Sequence, residues 1–159
     1  EVNVFDDADA EMEAIQTFNP RNIATTTTEF KAYVDGGLKM SKPSGSIELV
    51  DYKPNYLKYE CDINSEGFAV FSEVFYRGNE DWVSTINGEK ADHIRVNYML
   101  RGMKVPAGKT TIEFSFNPPT YQKAETYSLI SSILLVLMVL GGGFLAFKNV
   151  GTSAEADNE

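Results

Sequence analysis

The 159-residue chain has one cysteine, Cys61, and one histidine, His93. A lone cysteine excludes an intrachain disulfide and a thiolate-built metal centre, and a lone histidine leaves too few ligands for a catalytic zinc site of the usual composition. Basic clusters are also missing. The 14 Lys and Arg stand against 23 Asp and Glu, for a net charge of -9, so the chain lacks the cationic face that nucleic acid requires. The acidity gathers at the two ends: Glu1, Asp6, Asp7, Asp9, Glu11 and Glu13 at the start, and Glu155, Asp157 and Glu159 at the finish. No G-x-S-x-G, H-E-x-x-H, P-loop or dinucleotide fingerprint occurs. Carboxylate neighbours such as Glu80-Asp81 and Glu60/Asp62 read as solvated faces, because adjacency in sequence does not supply the separation across a sugar that glycosidase chemistry needs. No catalytic residue, cofactor or metal is expected.

One long apolar run is present. Residues 127–147 read YSLISSILLVLMVLGGGFLAF without a charge. As a helix they reach about 32 Å, against a hydrocarbon core of about 30 Å. A soluble helix of that length shows a polar stripe, and here only Ser128, Ser131 and Ser132 are polar. The segment therefore reads as a transmembrane helix whose ends are Tyr127 and Phe147, with the lipid bilayer as its first partner. Asn117-Pro118-Pro119 closes the preceding strand, and Tyr121 and Tyr127 suit the interfacial aromatic belt. Lys148 follows the run directly and favours a cytoplasmic C-terminus, although Lys123 on the other flank opposes it. That orientation places residues 1–126 outside the membrane and 148–159 as a cytoplasmic acidic tail. Gly141-Gly142-Gly143 reads either as a packing notch for a neighbouring helix or as glycine of no special role.

Ahead of the span the pattern is mostly β. Residues 7–18 have Met12, Ile15 and Phe18 at helical spacing before Asn19-Pro20. Residues 23–27 are β-branched and predict a strand. Residues 28–34 predict a two-turn helix with Thr28 as N-cap and Gly36-Gly37 as its stop. From residue 46 onward period two takes over. Ile47 and Leu49 share a side; Leu57, Tyr59 and Cys61 share a face opposite Lys58, Glu60 and Asp62. Cys61 is read as a small core residue. The stretch GFAVFSEVFY, residues 67–76, is apolar on both faces apart from Ser72 and Glu73, and predicts a central strand. Asn87-Gly88 predicts a two-residue type I′ hairpin. Ile94, Val96 and Tyr98 alternate with His93, Arg95 and Asn97. Pro106-Ala107-Gly108 predicts a tight turn, and Ile112, Phe114 and Phe116 point inward beyond it.

The expected fold is mainly β (α+β): an antiparallel β-sandwich with one or two short N-terminal helices and one C-terminal transmembrane helix. Its expected divisions are an α/β lead-in over 1–45, the sandwich over 46–120, a short linker over 121–126, the span over 127–147 and the tail over 148–159. Trp82, the only tryptophan, either stacks on a sugar beside the polar loop 77–81 or covers one end of the core. Arg95 and Asn97 either grip a polar ligand or face water. These three are the carbohydrate-binding candidates.

An ordered set of short motifs supports a wider comparison. Tyr52-Lys53-Pro54-Asn55, FAVFSEVFY, a Trp ahead of Ile86-Asn87-Gly88, Arg95-Val96-Asn97-Tyr98-Met99-Leu100-Arg101, Val105-Pro106-Ala107-Gly108-Lys109-Thr110, Ile112-Glu113-Phe114 and Ser128-Leu129-Ile130-Ser131-Ser132 follow one another. This order resembles the C-terminal end of the YfhO family of bacterial multi-spanning membrane proteins, in forms from Bacteroidetes-type bacteria. The resemblance covers residues 46–147 and, more loosely, the N-terminal part. The chain departs from the family's pattern in its longer loop between Tyr76 and Trp82, and in Lys109-Thr110 where Lys-His is frequent. The resemblance implies a parent similar to GT-C glycosyltransferases, which take a lipid-linked sugar donor and act outside the membrane on cell-envelope polymers. The catalytic acid of such enzymes lies in an early loop with no counterpart here. The expectation is thus a bacterial cell-membrane fragment, accessory to glycosyl transfer and non-catalytic, with the remaining transmembrane part of its parent and a cell-envelope glycan as partners. The alternative is a self-contained, C-terminally anchored surface module that binds carbohydrate or a partner protein.

Overall fold

The computed structural model describes residues 1–35, 37–40 and 42–156. It separates into a compact unit Glu1–Pro118 and a second unit from Pro119 onward. The first is mostly antiparallel β, sandwich-like, with one short helix.

The N-terminal layer begins with β1 (Val2–Phe5), α1 (Ala8–Ile15) and β2 (Ala24–Thr27). Asp7 caps the helix, its carboxylate accepting from Ala10 N at 2.9 Å, and Asp9 and Glu11 place negative charge in the first turn. β1 and β2 pair in parallel, Val2 against Ala24. The helix expected over 28–34 is instead a single 3-10 turn, Thr28–Phe30, followed by further turns. Thr28 does not act as its cap: its hydroxyl donates to Asp6 O at 3.0 Å. Phe30 and Tyr33 pack against a core on this side, so tertiary packing overrides local helix preference. Of the expected glycine stop, Gly36 lies outside the described residues.

A five-stranded sheet follows, in the order β3 (Gly45–Lys53), β4 (Tyr56–Ile63), β10 (Gly108–Phe116), β6 (Trp82–Ile86), β7 (Glu89–Lys90). Its partner is a three-stranded sheet of β5 (Gly67–Val74), β9 (Leu100–Val105) and β8 (Ile94–Val96), with β9 central. The hairpin at Asn87-Gly88 forms, with φ of 52° and 83° at the two central residues. The turn into β10 carries Gly108 at φ 98°.

The three-stranded sheet is a middle layer with a core on each face. On one face Ala69, Phe71, Met103 and Val105 meet Leu57, Tyr59, Cys61, Ile63, Ile112 and Phe114 of the five-stranded sheet. Phe71, Tyr59 and Phe114 pack edge to face, with centroids 4.8 to 6.1 Å apart. On the other face Ile94, Val96 and Phe68 meet Val2, Ala24 and Val34. Each fully buried aliphatic or aromatic side chain here contributes roughly 1.5–3 kcal/mol of transfer energy. Gly102 belongs to this second face, where a Cβ would lie 2.7 Å from the Phe68 ring.

This layering corrects one expectation. β5 is an edge strand rather than a central one; on its outer face Phe68 packs on the second core, while Val70 and Val74 are exposed. The layering also joins the lead-in 1–45 to the strands that follow in one compact unit ending at Pro118, since Val2, Ala24 and Val34 supply three of the five buried residues of the second core. His93 is fully buried although its neighbours suggested a polar face, whereas Tyr98 is 40% exposed. Asn97 and Tyr98 take positive φ, 49° and 71°, which ends the alternation of β8.

In the second unit, α2 runs over Pro119–Ala156. Proline suits the first helical position, where its missing N–H costs nothing. The stretch 121–126 is therefore helical rather than a linker, and both Tyr127 and Phe147 lie within the helix. Within Pro119–Ala146 an 18-residue stretch has a mean hydropathy of 2.4, and none of that stretch is buried. The helix is long and apolar enough to cross a membrane, at about 42 Å. Ser131 and Ser132 donate to Tyr127 O and Ser128 O at 2.8 and 2.9 Å, so both hydroxyl donors are satisfied within the helix. Of the expected tail, residues 157–159 lie outside the described residues.

Candidate binding site

β9 carries a charge on an apolar face. Arg101, Met103 and Val105 alternate toward the main core, and Arg101 is 2% exposed. Its register partner on β5 is Phe71, after which β5 bulges before Val74. That bulge turns the Val74 carbonyl toward the guanidinium, and Arg101 Nε donates to it at 3.0 Å. The guanidinium carbon lies 4.1 Å from the Trp82 ring centroid and 5.2 Å from that of Phe114, a cation–π arrangement that offsets part of the desolvation. Burial pushes the Arg101 guanidinium down from its ordinary value, and nearby Glu73 and Tyr59 push it back up. Among the described residues, buried Arg101 Nη1 has no hydrogen-bond partner, and a charged donor left so is costly.

Arg101 lines a cavity of about 360 Å³ together with Glu73, Tyr76, Trp82, Phe116 and Pro54. Its size falls in the range of small-molecule sites, and its mixed aromatic and polar lining matches their usual make-up. The loop 77–81 holds Trp82 in place. Asn79 N donates to Trp82 O at 2.8 Å, and the Asn79 side chain brackets the His93 backbone, donating to its carbonyl at 2.7 Å and accepting from its N–H at 3.1 Å. Arg77 Nε lies 3.3 Å from Asp81 Oδ2. The longer loop is thus an ordered brace.

Trp82 does border this cavity, but its ring already has two partners. Arg101 stacks on it, and Phe116 packs at 5.3 Å with a 48° tilt. The exposed aromatic of the cavity is Tyr76, at 57%. Arg95 and Asn97 sit elsewhere, on the seam with the N-terminal layer. Arg95 donates to Tyr98 O at 3.1 Å and to Thr27 Oγ1 at 3.3 Å, with Glu29 at 3.8 Å. Asn97 exchanges bonds with Thr25, each at 2.9 Å. Buried Glu11 joins the same seam, accepting from Thr25 Oγ1 and Tyr98 N. The structure does not bring Arg95 or Asn97 to Trp82. Sequence reasoning missed Arg101, Glu73 and Tyr76. Period two counted back from Val105 and Met103 places Arg101 on the apolar face, and that was the available signal.

Ser84 and His93 form a hydroxyl–imidazole pair at 2.7 Å. It is unsuited to nucleophilic work, because both residues are buried and Ser84 Oγ donates to Ala91 O at 2.5 Å. The His93 imidazole is lowered to about 4, by desolvation first and then by Arg101, so it is neutral at physiological pH. Tyr56 is hydrogen-bonded to Glu113, which with burial and neighbouring carboxylates raises its phenol to about 12. Among the described residues, no group of three His, Cys, Asp or Glu is placed to hold a metal ion. Comparison of the chain with family models, with curated proteins and with solved structures finds no match.

Proposed function

We propose that this chain is the membrane-tethered β-sandwich portion of a YfhO-like bacterial membrane protein, non-catalytic in itself, which holds a cell-envelope glycan outside the bilayer as an accessory to glycosyl transfer. The observation that carries the binding role is the cavity lined by Arg101, Glu73 and the exposed Tyr76 ring. Sugar sites combine an aromatic platform with a few fixed polar groups, and that combination is present. The tether is supported by α2, in which Pro119–Ala146 is long and apolar enough to cross a membrane. The ordered motif set supports the family assignment.

The test is a titration of the full chain, in detergent micelles, against a panel of cell-envelope glycans. Binding to at least one glycan is expected, weakened about tenfold in Tyr76→Ala, which removes one stacking platform from the surface. No affinity for any glycan on the panel defeats the binding role and leaves α2 as a tether for a purely structural domain.

A further inference from the structure

We infer that the cavity selects an uncharged sugar, held by hydroxyls that bridge the Glu73 carboxylate and the Arg101 guanidinium while the ring lies against Tyr76; this rests on the glycan-binding reading above. The inference follows from two opposite charges that share one cavity without joining. Glu73 and Arg101 both line it. Glu73 is close enough to raise the guanidinium's pKa. Among the described ion pairs none includes Arg101.

A carboxylate only accepts hydrogen bonds, and a guanidinium only donates them. A ligand that satisfies both needs a donor and an acceptor side by side. A sugar hydroxyl is both at once, and a vicinal pair offers the two functions in adjacent positions. An anionic group would satisfy Arg101 but would meet Glu73 as a like charge in a partly desolvated site, where such repulsion is strongest. A cationic group meets the converse problem at Arg101. The charges of the two residues cancel, so the cavity has no net attraction for an ion of either sign.

The platform follows from elimination among the aromatics. Trp82 is already in contact with Arg101 and Phe116. Tyr76 takes part in no ring contact among the described residues and exposes 57% of its surface at the cavity. Its phenol edge adds one more donor and acceptor for a ring hydroxyl.

The experiment titrates the full chain in micelles with four probes: mannohexaose and N-acetylchitohexaose as neutral sugars, hexagalacturonate as an acidic sugar, and poly(glycerol phosphate) as an anionic polymer without a sugar ring. A neutral probe is expected to bind at least about tenfold more tightly than either anion. Glu73→Gln keeps the shape, removes the like charge and weakens an acceptor; neutral binding falls about tenfold and the discrimination against hexagalacturonate shrinks. Tyr76→Ala weakens the neutral probes without changing that discrimination. Neither residue is buried, so a thermal melt equal to that of the parent chain accompanies both variants. Hexagalacturonate or poly(glycerol phosphate) binding as tightly as the neutral sugars overturns this inference, and the former result leaves glycan binding itself intact. Unchanged neutral affinity in Glu73→Gln also overturns it. Silence from all four probes overturns both this inference and the reading it rests on.

Discussion

The unit 1–118 and the helix that follows it draw on the same apolar side chains and treat them in opposite ways. In the first unit Phe114, Ile112, Leu57 and Met103 have at most 2% of their surface exposed. In α2, Leu134, Leu135, Leu137 and Leu140 each expose 54% or more. Hydropathy alone does not separate them. Periodicity does. The strands alternate, and bury one face or are covered on both; the helix is apolar all round, which in a single helix only lipid or other helices can cover. The contrast sets a unit with its own core against a helix long and apolar enough to cross a membrane.

The largest effect that tests this contrast comes from charging the helix. Leu134→Lys combined with Leu137→Lys adds two cations one turn apart. At about 2.5–3.5 kcal/mol for each lysine at mid-membrane, the pair costs about 6 kcal/mol of insertion energy. The expected outcome is loss of the membrane-bound fraction that resists alkaline carbonate, with the thermal melt of the β unit unchanged. Carbonate-resistant association equal to that of the parent chain breaks the contrast.

A middle-sized effect sharpens the picture from the other side. The folded unit keeps His93 neutral down to about 4, whereas an unfolded chain takes up that proton near pH 6.5. Between those values the unfolded state binds more protons, so stability rises with pH. The contribution is fully present above about pH 6.5 and is lost as pH falls toward 4, at roughly 3 kcal/mol for the whole shift. Urea unfolding followed by Trp82 fluorescence at pH 7, 5.5 and 4 is expected to show this loss, reduced in His93→Gln. His93 is the only histidine, so the helical signal of α2 stays level over the same window. An identical pH dependence in His93→Gln refutes the assignment.

How much of this was legible in the sequence depends on where the determinants lie. Leu57, Tyr59 and Cys61 declare their face by spacing alone, and Asn87-Gly88 declares its hairpin because few other pairs accept two positive φ values. Those are local signals. The second core is not local: residues 30–34 give up a helix to place Phe30, Tyr33 and Val34 against β8 and β5, and nothing within the segment records that. β5 looked central through Phe68, Val70 and Val74, of which only Phe68 joins that core. At the candidate site the sequence pointed to Trp82 through its rarity, and it is there. Arg95 and Asn97 were chosen for polarity and turned out to be bonded into the seam with β2. Arg101 was legible only to an argument that follows a single strand's alternation through a charge.

The smallest effect comes from one substitution made in both regions. Gly88 sits at φ 83° with no atom within 4 Å of an added Cβ. Space is therefore no obstacle to Gly88→Ala, but the left-handed backbone is, at about 1 kcal/mol against the β unit. Gly142 also has no atom within 4 Å of an added Cβ, and it lies inside α2. Alanine there removes the entropy penalty of glycine, a gain of up to about 1 kcal/mol for the helix. Opposite signs are expected: a lower urea midpoint for Gly88→Ala, and undiminished helicity with unchanged particle size in detergent for Gly142→Ala. If Gly142→Ala, or the bulkier Gly142→Leu, instead dissociates a larger assembly in the micelle, the glycine run is in contact with another helix there. The run would then be a packing notch, and the space around these glycines would be where a neighbour docks.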